Sequence, residues 1–179
     1  ILTIDPASGV YKGSKAETIV YLKHQEAYEV EEPTKNGCEF VGWTISEVSV
    51  YDEETKTVRM NLSDVRMTAE WRVSEAAVAK IGEEYYTSVS EAIAGAEEGD
   101  KVEVFKDVEE DVTNTKNITM DLGGKTIKGT FVNEGILKVL NGTIENENEI
   151  GLLNKKTLTL GENDGDVSED TVKIIGKEI

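Results

Sequence analysis

Cysteine occurs once, at Cys38, so no disulfide can form within the chain and its stability must come from packing and backbone pairing. That scarcity leaves the compartment open, because cysteine-poor chains occur in the cytosol and on bacterial surfaces alike. Histidine also occurs once, at His24, and no arginine follows Arg72. Cations are few: 19 Lys and Arg against 36 Asp and Glu give a net charge of −17. Both parts share the sign, with 8 basic and 13 acidic residues over 1–72 and 11 and 23 after it. Such a surface argues against nucleic acid or anionic lipid as partner and reads first as a means of solubility. No apolar run approaches the length of a membrane span, and no charged-then-apolar leader opens the chain. Ile1-Leu2-Thr3-Ile4 begins in mid-strand and Gly176-Lys177-Glu178-Ile179 carries no polar cap, so a piece of a longer protein is expected.

What the chain does have is repetition. Ile118-Thr119-Met120-Asp121-Leu122-Gly123-Gly124 returns as Leu137-Lys138-Val139-Leu140-Asn141-Gly142 and again as Leu158-Thr159-Leu160-Gly161, at intervals of 19 and 21 residues. One short apolar and polar alternation per copy, closed by Gly or Asn, is the signature of a β-solenoid whose coils bury their inner faces only by stacking. Thr126-Ile127 follows Gly123-Gly124 as Thr143-Ile144 follows Asn141-Gly142, read as an equal offset in both copies. The stack therefore predicts inner ladders of Ile118, Leu137 and Leu158, of Met120, Val139 and Leu160, and of Ile127 and Ile144. Val172-Lys173-Ile174-Ile175 is expected as a last strand.

Residues 1–72 read as nearly continuous strand and turn. Asp5-Pro6-Ala7-Ser8-Gly9 and Asn36-Gly37 supply reversals, Phe40-Val41-Gly42-Trp43 a buried aromatic strand, and Asp52-Glu53-Glu54-Thr55 a charged hairpin tip. Pro33 to Trp43, preceded by Leu2 to Gly9 and followed by Thr68-Ala69-Glu70-Trp71, resembles the Listeria–Bacteroides repeat, the module related to the B repeat of internalin B. The resemblance implies a small β-grasp-like fold in extracellular and cell-wall-attached bacterial proteins. Cys38 stands where that family has an aromatic, and the hairpin at Tyr51–Thr57 lengthens the span between the two tryptophans.

Residues 73–179 form the second expected domain, after a connector at Val73–Ala77. Val78–Tyr86 reads as a hairpin around Gly82-Glu83. Ser88-Val89-Ser90-Glu91 reads as a capping box in which Ser88 accepts from the third helical amide and Glu91 reaches back to the amide of Ser88. Val89, Ala92, Ile93 and Ala96 share one helical face, and Gly99 is expected at the helix C-cap. The order Tyr85-Tyr86, helix, Gly99-Asp100-Lys101-Val102, then Asp121 to Ile127 resembles the opening of right-handed parallel β-helix, pectate-lyase-like domains of bacterial surface proteins. That resemblance implies that the helix caps the N-terminal end of the solenoid.

No catalytic, metal or cofactor-binding residue is assigned. Asp107, Asp111, Asp121 and Glu145 could line an outer face of a carbohydrate-active solenoid, but neither Arg nor His accompanies them. Asn163-Asp164-Gly165-Asp166 offers oxygen ligands without the spacing of a calcium loop and reads as a polar turn. His24 reads as a solvated loop residue and Cys38 as a small core residue. Trp43 and Trp71 would make a sugar-stacking platform if exposed and core if not. Gly123-Gly124-Lys125-Thr126 lacks the upstream Gly and following helix of a phosphate loop.

The whole is therefore read as a mainly β, non-catalytic chain: a β-grasp-like module followed by a short right-handed parallel β-helix with an N-terminal capping helix. The resemblances imply an extracellular place on a bacterial cell surface or wall and a structural or adhesive role toward glycans, matrix or host proteins. The alternatives are a polysaccharide lyase- or hydrolase-like enzyme and an inert spacer.

Overall fold

The computed structural model describes residues 1–161 and 171–176. The chain divides into two compact units, Ile1–Glu75 and Ala76–Ile179. The expected turn at Asn163–Asp166 lies outside the described residues.

The first unit holds β1 (Leu2–Asp5), β2 (Thr18–Val20), β3 (Ala27–Glu29), β4 (Cys38–Ile45), β5 (Tyr51–Asp52), β6 (Thr57–Arg59) and β7 (Val65–Val73). Four of them form one sheet in the order β2-β1-β7-β4, with β1 and β7 parallel at its centre and antiparallel pairs outside. A second sheet runs β3-β6-β5. Alternation sets the inner face: Leu2 and Ile4 on β1 and Val65, Met67 and Ala69 on β7 are buried, with polar neighbours between them. Tyr11, Val30, Val58 and Met60 complete this core. The reversal at Asn36-Gly37 closes through Cys38 N–H to Lys35 O at 3.2 Å, with Gly37 at φ 59°. Val73 pairs with Cys38, and the Ser74 amide donates to Gly37 O, so β7 carries the first unit past Arg72.

The second unit begins with an antiparallel hairpin of β8 (Ala79–Ile81) and β9 (Glu84–Tyr86), then the helix α1 (Val89–Gly95). Beyond it lie β10 (Lys101–Val104), β11 (Val108–Glu109), β12 (Val112–Asn114), β13 (Asn117–Lys128), β14 (Phe131–Asn133), β15 (Ile136–Asn146), β16 (Leu152–Asn154), β17 (Thr157–Leu160) and β18 (Val172–Gly176). From β10 onward every pairing between coils among the described residues is parallel, which makes this unit a β-solenoid of about three turns. The inner ladders fall where the sequence period puts them. Ile118 pairs with Leu137 and Leu137 with Leu158, Met120 with Val139 and Val139 with Leu160, and Ile127 with Ile144. Val102 adds a rung below Met120 and Ile174 one above Ile144.

Three local expectations are corrected. The offset between copies is not constant: at the corner, Leu122, Gly123 and Gly124 lie opposite the single residue Asn141. Two glycines at positive φ, 54° and 77°, absorb the extra length. Leu160 keeps its register but is 48% exposed, because an inner side chain needs a coil on both sides and none among the described residues lies beyond β17. The helix ends at Gly95 with Ala96 as C-cap, so Gly99, at φ 93°, belongs instead to the turn before β10, where its amide donates to Asn117 O at 2.7 Å.

Close stacking also selects small residues. A Cβ on Gly135 would sit 2.2 Å from the carbonyl oxygen of Lys116 in the preceding coil, a distance no side chain tolerates.

Candidate functional site

Inside the solenoid, the three short strands β12, β14 and β16 each end on an asparagine, and the three stack. The Asn114 side-chain amide donates to Asn133 Oδ1 at 2.9 Å, and that of Asn133 donates to Asn154 Oδ1 at 2.7 Å. Each Oδ1 also accepts from the backbone amide two residues on, at Lys116, Gly135 and Lys156. Each Nδ2 donates to the carbonyl of that same residue as well. Asn114 and Asn133 are fully buried. This column closes the corner after each short strand: the side chain supplies the partners that a sharply turning backbone cannot find within a sheet. Sequence reasoning missed it, although each asparagine stands four residues ahead of an inner ladder residue, Ile118, Leu137 and Leu158.

On an outer face, charges run across the strands. Lys80 Nζ meets Glu103 at 2.9 Å, and Lys101 Nζ meets Asp121 Oδ2 at 2.7 Å and Glu103 at 3.5 Å. Asn141 donates to Asp121 Oδ1 at 3.2 Å, as does the Gly123 amide at 3.1 Å. Burial pushes the Asp121 carboxyl upward, but Lys101, Gly123 and Asn141 together hold it below the usual carboxylate range. Lys101 is raised in turn, chiefly by Asp121. A lowered carboxyl stabilises the fold above its unfolded pKa, about 3.9, and the contribution disappears as pH falls through the lower folded value. Asp121→Asn is therefore expected to cost about 1 kcal/mol at neutral pH and to flatten the acid limb of the stability curve, as read by urea titrations from pH 7 to 2.

The other acids named from the sequence serve backbone amides or nearby cations. Asp107 Oδ1 accepts from Thr126 N at 2.8 Å and Asp111 Oδ1 from Thr130 N at 2.7 Å, each binding the next coil. Glu145 lies 3.6 Å from Lys128 Nζ. Asp111 and Glu145 do share one groove of about 510 Å³, whose wall also carries Glu109, Glu110 and Glu147. Glu110 is itself engaged by the Val89 amide, the Ser90 amide and the Ser90 hydroxyl, so it holds the first turn of α1. That corrects half of the expected capping box. Ser88 accepts from Glu91 N at 3.1 Å, but the Glu91 carboxylate takes the Thr87 hydroxyl at 2.8 Å instead of the Ser88 amide, and Glu110 from another coil accepts from the next two amides, Val89 and Ser90. At the opposite end, Lys116 Nζ binds the carbonyls of Ala94 and Ala96. Among the described residues no group of three or more His, Cys, Asp or Glu is placed to hold a metal ion.

The first unit carries a second groove, of about 430 Å³, over Phe40, Trp43, Ile45, Val48 and Tyr51, with Glu32, Glu53, Glu70 and Lys56 around it. Its aromatic floor is anchored from below. Trp43 packs edge-on to Phe40, with centroids 5.2 Å apart, and to Tyr11 at 6.2 Å, while Phe40 meets Trp71 at 5.7 Å. Trp71 is spent on structure: its indole N–H donates to Pro6 O at 3.0 Å. Both tryptophans are half-buried, and each meets Phe40 edge-on. Cys38 is half-buried and burial raises its thiol pKa, while His24 is exposed in its loop.

The Tyr11 side chain is fully buried, and its hydroxyl has no well-aligned hydrogen bond, with Tyr28 and the Glu31 backbone its near polar neighbours. Tyr11→Phe, which removes only these poorly aligned contacts, is therefore expected to change stability by no more than about 1 kcal/mol, measured by chemical denaturation followed at the tryptophans.

No family model, curated protein or solved structure matches the chain.

Proposed function

We propose that the chain is a structural and adhesive part of a bacterial cell-surface or secreted protein. In this reading a β-grasp-like module of the Listeria–Bacteroides type precedes a right-handed parallel β-helix whose first coil is capped by α1. The mixed sheet of the first unit, parallel at its centre, supports the β-grasp reading. The packing of Val89, Ala92 and Ile93 into the same core as the inner ladders supports a capping role for the helix.

The observation that carries the non-catalytic role is the use made of the acids. Asp107, Asp111 and Glu110 tie backbone amides of neighbouring segments together, and Asp121 sits in a row of ion pairs, so the carboxylates act as fasteners between segments of the solenoid. The enzymatic alternative draws on Asp111 and Glu145 sharing a groove.

A panel of plant and host glycans and matrix proteins, assayed for both binding and cleavage, separates the readings. Binding without cleavage is the expected result. Cleavage abolished by Asp111→Asn or Glu145→Gln would favour the carbohydrate-active reading, and binding to nothing in the panel would favour a spacer.

A further inference from the structure

The groove of the first unit follows a bare sheet edge. Among the described residues, the strand order β2-β1-β7-β4 leaves β4 with a neighbour on one side only, and the order β3-β6-β5 does the same for β5. Residues from both faces of β4 line the groove: Trp43 and Ile45 pack toward the core, whereas Gly42 stands opposite Glu70 on the solvent face. One cleft can collect both faces of a strand only by running along its edge. Val48, just ahead of β5, and Tyr51, on it, also line the groove.

Register decides which backbone groups look into it. The Ser46 amide donates to Arg66 O, which makes Ser46 and Arg66 a hydrogen-bonded pair of the antiparallel ladder. Alternation then turns the amides and carbonyls of Trp43 and Ile45 away from β7. They repeat at about 6.8 Å, the spacing that another extended backbone presents. The apolar wall is open to solvent, with Val41 57% and Val48 73% exposed. The polar margin is acidic: Glu32, Glu53 and Glu70 face a single Lys56, which Glu32 already holds.

We propose that this groove binds an extended peptide bearing lysine or arginine, which adds as a strand along the outer edge of β4 and sets its cations against Glu53 and Glu70. The backbone edge provides affinity without sequence, and the carboxylates select the charge. A bare edge with apolar flanks otherwise invites self-association, which the like charges of two such margins oppose. The proposal goes beyond the adhesive reading, which leaves the partner's chemistry open.

The test uses the full chain and a synthetic peptide of about twelve alternating valines and lysines. Hydrogen exchange at the Trp43 and Ile45 amides is expected to slow at least about tenfold on saturation. The same peptide N-methylated at alternate residues is expected to give no protection, since it cannot complete the ladder. The glutamate counterpart is expected not to bind, and the Glu53→Lys/Glu70→Lys variant to bind the lysine peptide about tenfold more weakly at an unchanged melting temperature.

Unslowed exchange at both amides, or equal protection by the N-methylated or glutamate peptide, would overturn the proposal. So would a soluble N-acetylglucosamine hexasaccharide that shifts the Trp43 indole while the lysine peptide does not, which would make the groove a glycan site and leave the adhesive reading standing. Peptide binding at β4 by a chain that binds nothing in the glycan and matrix panel would sink the adhesive reading alone.

Discussion

Asn133→Ala is expected to destabilise the solenoid by about 3–5 kcal/mol, out of proportion to the few atoms removed. The substitution takes away the acceptor for the Gly135 amide and for Asn114 Nδ2, and the donor to Asn154 Oδ1 and to the carbonyls of Gly135 and Thr157. Every one of these groups was paired through a side chain that is fully buried. Leaving a buried donor or acceptor unpaired costs about 1–3 kcal/mol, and since Asn114 Nδ2 keeps Lys116 O and Asn154 Oδ1 keeps Lys156 N, the Gly135 amide and carbonyl carry most of the loss. Asn154 makes the same local bonds but is exposed, so water replaces the lost partners and Asn154→Ala is expected to cost about 1 kcal/mol. Urea titrations by far-UV circular dichroism measure both, and hydrogen exchange at the Gly135 amide reports the broken corner directly. Equal costs at the two positions would show that the column does not depend on burial.

A charge in the inner ladder should be harsher still. Val139 is fully buried, with Met120 in register on one side and Leu160 on the other, and Val139→Asp is expected to cost about 4 kcal/mol or more at neutral pH. Burial raises the folded-state pKa of the new carboxyl above its unfolded value of about 3.9. The penalty is then full above the folded pKa and shrinks as pH falls through it toward 3.9, the reverse of the behaviour expected around Asp121. Thr159→Asp, on the exposed side of β17, should stay within about 0.5 kcal/mol. Thermal melts of the three proteins at pH 7 and pH 4.5 test both the size and the sign. A Val139→Asp protein no more sensitive to pH than the parent would refute a buried carboxylate.

The inner ladders were legible in the sequence because the side-chain period of a strand is local and the copies of Ile118, Met120 and Ile127 recur at intervals a reader can count. The helix start at Ser88 was legible for the same reason, since an N-cap acts on an amide three residues away. Glu110, which completes that cap, was not, because the coil that brings it to Val89 is 21 residues further on. The asparagine column shared the period of the ladders, yet an asparagine between two strands reads as a turn residue until the corner's inner side is known. In the first unit the sequence read Phe40 into a buried strand and left open whether Trp43 and Trp71 were platform or core. Their packing depended on an irregularity at Val41 that shifts the register between β4 and β7, and on Tyr11 reaching Trp43 from a distant turn.

From the sequence alone came the mainly β class, the coil period, the identity of the stacked side chains and the acidic surface, all consequences of residue type and short-range alternation. The tertiary structure alone decided which carboxylates fasten backbone, which asparagines are buried, and that β4 and β5 end their sheets with bare edges on a common groove. Strand order and corner geometry arise from pairings between residues far apart in the chain, and no local pattern encodes which of two faces or edges such pairings will leave uncovered.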